Sequence, residues 1–111
     1  MPFPETQEQV LEQVKEKTFT PPPYHVILLD DDDHTYDYVL EMLGHVFGYG
    51  FMIAYKMALT VDAQGYVIVD TTHKDRAELK RDQIRDYGAD WRIPHSTTGM
   101  RAIVEPAFDE D

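Results

Sequence analysis

A short apolar run that ends in four consecutive aspartates constrains this chain more than any other feature. The run Tyr24–Leu29 is rich in β-branched and aliphatic residues, which favour a buried strand. Asp30 to Asp33 follow at once, and apolar residues at helical spacing begin near Thr35. Because the strand anchors the acidic turn to the core, the carboxylates are expected to hold fixed positions. Fixed negative charge beside apolar side chains suits a cation that is attached to an apolar group.

Helical and extended stretches follow one another along the rest of the chain. A helix, a second helix, a strand, a third helix and a third strand are predicted over residues 35–47, 51–61, 66–71, 75–87 and 100–104. Asp33 is expected to cap the first helix, with Thr35 as the alternative. The second helix is expected to turn one face to the core, formed by Phe51, Ala54, Tyr55, Ala58 and Leu59. The order β-α-α-β-α-β has too few strands for a doubly wound sheet, so we predict an α+β domain with a three-stranded antiparallel sheet packed on three helices.

The triple proline at residues 21–23 marks the start of this domain, because it forms a stiff break in the chain. The residues before it are polar and have too few aliphatic side chains at helical spacing to anchor a packed helix. We therefore predict a flexible extension over residues 1–20, a core domain over 21–107 and an acidic tail over 108–111.

The charge balance excludes several classes of partner. Twenty-one acidic and ten basic side chains give a net charge of −11, which disfavours nucleic acid and anionic membranes. No cysteine is present, so disulfides and thiolate sites are excluded. The chain begins without the apolar segment of a signal peptide, and it has no apolar run of about 20 residues that would span a membrane. These features favour a cytoplasmic protein, and we expect a monomer.

The aspartate run has two alternatives to a ligand site for an organic cation. It can be a solvated turn that also caps a helix, or it can bind a metal together with His25 or His34. Neighbouring residues at a strand end point to opposite sides, so at most two of the four carboxylates can share one ligand. The run lacks the alternating spacing of a calcium loop, and the chain has no zinc-helix, Walker, dinucleotide or nucleophilic-serine motif. We therefore expect no catalytic residue, metal or cofactor, and a metal-dependent hydrolase is the least favoured alternative.

The two helices that follow the aspartates could form the apolar part of a binding site. If they pack as a hairpin, an apolar slot lies between them with acidic groups at its mouth. An α-amino group would bind at the mouth, and the side chain next to it would enter the slot. The residues that would form this arrangement are Asp30, Asp31, Val39, Ala58, Val61 and Asp62.

Several motifs occur in a characteristic order along the chain. They are Pro22-Pro23-x-His25-Val-Ile-Leu-Leu-Asp-Asp-Asp32, Tyr36-Asp37-Tyr38-Val39, Ala54-x-x-x-Ala58-Leu59-x-Val61-x-x-Gln64-Gly65, Ala77-Glu78-x-Lys80 and Val104-Glu105-Pro106-Ala107. With these motifs the chain resembles the ClpS-type adaptors, small proteins that deliver substrates to the ClpA or ClpC unfoldase of a Clp protease. The resemblance implies a non-enzymatic adaptor for N-degrons, which are proteins whose first residue is Leu, Phe, Tyr or Trp.

The resemblance also implies which residues hold the substrate's α-amino group. Asp31 matches an aspartate of the family, Asp30 stands where an asparagine is usual, and Asp62 stands where a histidine is usual. Asp32 and His34 are expected to support this group, and His34 takes the place of a usual threonine. Two neutral groups have thus become carboxylates, which attract an ammonium more strongly but also repel one another.

The pocket for the first side chain carries over in the same way. The resemblance assigns it to Tyr36, Val39, Ala58, Val61 and Met100, with Tyr36 at a gate position that is usually Met. Ala58 also replaces a residue that is usually Met, which is expected to widen the slot towards aromatic side chains unless Tyr36 fills the space.

Contact with the unfoldase is expected at Asp75 and Lys80 on the third helix, and the extension over residues 1–20 is expected to engage the unfoldase pore. A solvated helix face is the simple alternative for Asp75 and Lys80. The changes at Asp30 and Asp62 favour one rival function, a regulator of the unfoldase with the same fold that no longer recognises free amino termini.

Overall fold

The computed structural model describes residues 21–107. Its elements are β1 (Tyr24–Leu29), α1 (Tyr36–Phe47), α2 (Phe51–Gln64), β2 (Tyr66–Thr72), α3 (Lys74–Arg85) and β3 (Ala102–Pro106). The order β-α-α-β-α-β is the predicted one. The expectations for the extension at 1–20 and for the tail at 108–111 lie outside the described residues.

The three strands form one antiparallel sheet with β1 at its centre, in the order β2-β1-β3. Leu28 pairs with Val67 of β2 and with Ala102 of β3, so these three side chains share one face of the sheet. All three are buried, as is Val26 two residues earlier on the same face. The helices cover this face, which confirms the predicted α+β fold.

Thr35 caps the first helix, which begins at Tyr36. The backbone of Thr35 is extended, with φ −87 and ψ 168, and its hydroxyl accepts a hydrogen bond from the Tyr38 N–H at 3.1 Å. The expectation that Asp33 is the cap is therefore wrong. Asp33 belongs to the preceding turn, where its N–H donates to Asp31 Oδ1 at 2.9 Å.

The second helix ends at Gly65, which adopts φ 88 and donates its N–H to the Val61 carbonyl. This left-handed conformation favours glycine because it has no Cβ. The helix is three residues longer than the prediction over 51–61, and the added turn places Asp62 on the helix itself. The third strand also differs from its prediction, since it occupies Ala102–Pro106 and leaves Met100 in the loop before it.

The core-facing side of α2 was predicted only in part. Ala54 and Ala58 are buried as expected, but Phe51, Tyr55 and Leu59 are 63%, 37% and 43% exposed. The helix instead buries its small residues and Val61, which lets its backbone approach α1 and β2 closely. Its larger apolar side chains remain on the surface.

Residues 21–107 contain no helix that is both long and apolar enough to cross a membrane.

Candidate functional site

A small slot opens between α1, α2 and the acidic turn that follows β1. Its lining residues are Asp30, Asp31, His34, Thr35, Tyr36, Val39, Ala58, Val61, Asp62 and Met100. These include every residue that was predicted to bind the amine or the first side chain, together with His34. Asp32 is exposed and is not among the lining residues. The elements converge here because β1 ends at the turn while α1 and α2 pack against each other.

The inner part of the slot is apolar and rigid. Val39, Ala58, Val61 and Met100 are all buried and belong to the hydrophobic core. The slot encloses about 70 Å³. A dry cavity that accepts benzene has a volume of about 150 Å³, so the slot in this form is too small for an aromatic side chain. The expectation that Ala58 widens the slot towards aromatic side chains, unless Tyr36 fills the space, stays a prediction.

The mouth of the slot is acidic. Burial raises the pKa of the Asp30 carboxyl, and the negative charges of Asp62, Asp31 and Asp32 raise it further, against a hydrogen bond from the Asp31 backbone that lowers it. The N–H of Asp30 donates to the Gly65 carbonyl at 3.0 Å, which fixes the turn against the end of α2. A cation at the mouth would relieve the repulsion among these carboxylates.

His34 holds Asp31 in place at the mouth. Its Nδ1 lies 2.8 Å and 3.0 Å from the two carboxylate oxygens of Asp31, and its Nε2 lies 2.7 Å from the Thr98 carbonyl. The side chain of His34 is only 2% exposed. Asp31 therefore already has a side-chain partner, whereas Asp30 and Asp62 lie at the mouth without a basic partner within the described residues.

Tyr36 and Asp62 line the more exposed side of the slot. The Tyr36 hydroxyl donates to Asp62 Oδ2 at 2.6 Å, which joins the first residue of α1 to the last turn of α2. This hydrogen bond is the main reason that the pKa of Tyr36 rises to about 12. The sequence did not predict this bond, because its partners are 26 positions apart.

A buried carboxylate that the sequence did not single out holds the acidic turn in place. Asp90 is fully buried, and its Oδ2 accepts hydrogen bonds from the N–H and the hydroxyl of Thr35 at 2.7 Å and 2.8 Å. Its Oδ1 accepts from the N–H and the guanidinium of Arg92, both at 3.0 Å. Arg92 also binds Glu41 of α1 at 2.6 Å. This network joins the loop before β3 to the start of α1, where the slot is built.

The hydrogen bonds also decide the charge of Asp90. Burial alone would raise its pKa, but the hydrogen bonds from Thr35 and Arg92 outweigh burial and lower the pKa to about 2. No sequence motif indicates that Asp90 holds the acidic turn, because it looks like an ordinary acidic loop residue and its partner Thr35 is 55 residues away.

The residues expected to contact the unfoldase lie on α3, away from the slot lining. Asp75 is exposed in the first turn of α3. Lys80 is half-buried, and its ammonium donates to the Val46 carbonyl of α1 at 2.6 Å and lies 5.4 Å from the centre of the Phe47 ring. Lys80 therefore has a structural role at the end of α1 as well as a place on the surface.

The aspartate run itself does not converge on a point. Asp33 Oδ1 lies 3.0 Å from His95 Nε2, away from the pair formed by Asp31 and His34. Among residues 21–107 the structure places no three His, Asp or Glu side chains where they could hold one metal ion.

Known proteins are similar to this chain both in sequence and in fold. Residues 19–94 match the family "ATP-dependent Clp protease adaptor protein ClpS". The ClpS adapter of Roseobacter denitrificans is 33% identical over 89 residues, which cover 80% of this chain and 79% of that protein. The ClpS adapter of Ruegeria sp. is 31% identical over 97 residues, which cover 87% of this chain and 86% of that protein.

A solved structure supports the same relationship. Agrobacterium tumefaciens ClpS2, whose structure was determined bound to L-phenylalaninamide, superposes with a TM-score of 0.68 at 26% sequence identity. The match covers 78% of this chain and 99% of ClpS2. The match to the family spans more than half of the chain, and its relatives are covered over most of their length. The chain therefore belongs to the ClpS family of ATP-dependent Clp protease adaptor proteins.

Proposed function

We propose that this adaptor binds the N-terminal residue of substrate proteins and delivers them to a ClpA- or ClpC-type unfoldase. The observation that carries the proposal is the slot, which joins an apolar interior to an acidic mouth. A substrate that begins with Leu, Phe, Tyr or Trp has the matching pair of groups, an ammonium next to a large apolar side chain. The protein would act by binding alone, without catalysis.

Electrostatics favours an ammonium at the mouth. A carboxylate about 4 Å from an ammonium contributes about 4 kcal/mol of gross attraction at an effective dielectric constant of about 20. Desolvation offsets much of this, but Asp30 and Asp62 are already crowded by neighbouring negative charge. An ammonium between them replaces repulsion by attraction. Asp31 would act together with His34, whose ring nitrogen lies 2.8 Å from its carboxylate.

The ligand of a relative has the same two groups. L-phenylalaninamide, the molecule bound to ClpS2 of Agrobacterium tumefaciens, carries a free α-amino group and a phenyl side chain. This chain offers carboxylates for the first group and the walls formed by Val39, Ala58, Val61 and Met100 for the second. The amine-binding role of Asp30, Asp31 and Asp62 and the pocket role of these walls are part of the proposal.

Delivery would use other parts of the molecule. Asp75 and Lys80 on α3 are the proposed unfoldase contacts, and the extension over residues 1–20 is proposed to engage the unfoldase. A cytoplasmic location and a monomeric state stay predictions.

A regulator of the unfoldase without amine recognition is the second candidate function. The observation that favours it is the closed slot, because Tyr36 is bonded to Asp62 and only about 70 Å³ is enclosed. The two candidates differ in one property, which is binding of a free amino terminus.

Charge-neutral variants test the proposed function. Asp30→Asn is expected to weaken binding of L-phenylalaninamide about tenfold, the effect of losing one charged hydrogen-bonding partner at a half-buried site. Asp82→Asn is the control, since Asp82 lies on α3, is exposed and is outside the slot, and a change of less than about twofold is expected. Isothermal titration calorimetry measures both. Equal losses in the two variants would contradict an amine site at the slot and would favour a general charge effect.

A further inference from the structure

Tyr36 is the one large apolar side chain of the slot lining that is not fully buried in the core. Val39, Ala58, Val61 and Met100 are buried in the core. The neighbouring polar walls are also held, since Thr35 is bound by Asp90 and His34 is bound by both Asp31 and Thr98. Tyr36 is half-buried at the start of α1, and its pair with Asp62 is solvent-exposed.

The closed slot is too small for the substrates that the proposed function requires. Its volume of about 70 Å³ accepts a methyl group but is less than half of the ~150 Å³ that accommodates benzene in an apolar cavity. A bulky first residue can therefore enter only if part of the lining moves, and Tyr36 with its exposed partner Asp62 is the part least held by the core.

We infer that the Tyr36–Asp62 hydrogen bond is a latch that closes the slot, and that entry of a bulky N-terminal side chain requires this latch to open. This inference rests on the proposed function and names the residue pair that sets its size selectivity. The substrate's ammonium is drawn to Asp62, the same carboxylate that holds the Tyr36 hydroxyl. An incoming ammonium weakens the latch by competing for that carboxylate, so the free amine and the bulky side chain are recognised together.

The geometry is consistent with a latch that is firm but reversible. The hydroxyl and the carboxylate are 2.6 Å apart, and their hydrogen bond holds the proton on Tyr36 up to a pKa of about 12. Because both partners face solvent, water can replace either one when the ring swings out. The fraction of open molecules then reduces the apparent affinity for bulky ligands, as it does whenever only a minor conformation is competent to bind.

Removal of the hydroxyl alone tests the inference. Tyr36→Phe keeps the ring and deletes the latch, so the affinity for L-phenylalaninamide is expected to rise about three- to tenfold. L-alaninamide carries the same amine but only a methyl group, which fits the slot, so it gains only from the freed Asp62 carboxylate and its affinity is expected to rise clearly less than that of L-phenylalaninamide. NMR titration measures both ligands, including weak binding. Tyr55→Phe is the matched control, because the Tyr55 ring lies 6.2 Å from that of Tyr36 but does not line the slot.

The outcomes separate the latch from the proposed function. If Tyr36→Phe leaves the affinity for L-phenylalaninamide unchanged or lowers it, the latch is wrong, while binding by the wild-type protein still supports the proposed function. If the variant raises the affinities for both ligands equally, freeing of the Asp62 charge explains the effect and the latch is also wrong. If neither protein binds L-phenylalaninamide, the proposed function fails and the latch fails with it. Binding by the variant alone would support a latch that is shut in the wild type.

Discussion

Replacing Asp90 by asparagine is expected to lower the free energy of unfolding by about 3 kcal/mol at neutral pH. The pKa of Asp90 falls from 3.8 to about 2 in the folded protein. A difference of about two units corresponds to about 2.5 kcal/mol, at about 1.36 kcal/mol per unit. Asparagine also turns an N–H₂ group towards either the two Thr35 donors or the two Arg92 donors. One pair of donors therefore loses its acceptor, which adds to the loss.

The pH dependence of this stabilisation has a definite sign. Because folding lowers the pKa of Asp90, its carboxylate stabilises the native state fully above the unfolded pKa of 3.8. The stabilisation is lost as the pH falls from about 4 towards about 2, because the unfolded chain takes up the proton over this range while the folded protein does so only near the lower end. Asp90→Asn has no carboxylate to titrate, so the difference in stability between wild type and variant should shrink over this window.

Urea denaturation at neutral and acidic pH measures the effect. Asp82→Asn serves as the control, because Asp82 is exposed and its carboxylate pairs only with the neighbouring Arg81 in the described structure. We expect the control to change the unfolding free energy by less than about 0.5 kcal/mol. If Asp90→Asn matched this control, or if its deficit did not shrink at low pH, the reasoning about the buried carboxylate would be refuted.

Three further predictions concern the loop and the slot. Gly99→Ala places a Cβ 2.8 Å from the Ile84 carbonyl and is expected to cost about 2 kcal/mol of stability in urea denaturation, against about 0.5 kcal/mol for Gly50→Ala, whose Cβ meets nothing within 4 Å. Ala58→Met adds bulk inside the slot, so it should lower the affinity for a Trp-starting peptide about tenfold relative to a Leu-starting peptide. Competition binding measures the ratio of the two affinities, and an unchanged ratio would contradict the assignment of Ala58 to the pocket. Burial raises the pKa of Asp30, so this carboxyl takes up a proton at a higher pH than an aspartate of ordinary pKa. As the pH is lowered, the affinity for L-phenylalaninamide should therefore begin to fall earlier, and Asp30→Asn should flatten that part of the pH profile.

Local signals in the sequence predicted most of the fold. The apolar run before the aspartates became the central strand, and the glycines at 48 and 65 ended helices in left-handed conformations. The buried face of α2 was harder to predict, because this helix is apolar on several sides and its periodicity does not indicate which side is buried. Packing decided it: the small residues Ala54 and Ala58 allow a close approach to the core, whereas Phe51 does not.

The slot was predicted from the expected helix hairpin and from the family resemblance. Both placed Asp30 and Asp62 together although 32 positions separate them in the sequence, and both residues line the slot. Neither indicated that the His34 ring would bridge Asp31 and the Thr98 carbonyl. The role of Asp90 was also hidden. Such contacts depend on how distant loops pack, and no local pattern in this sequence encodes them.

The account's central claim is that the slot recognises a free amino terminus, and the most direct measurement compares one ligand in two forms. The wild-type protein is titrated with L-phenylalaninamide and with N-acetyl-L-phenylalaninamide, which keeps the side chain and removes the positive charge. The account predicts at least tenfold weaker binding of the acetylated form, because the carboxylates of Asp30 and Asp62 then face a neutral amide. Equal affinities for the two ligands would contradict amine recognition and would favour a regulator that does not read N-termini.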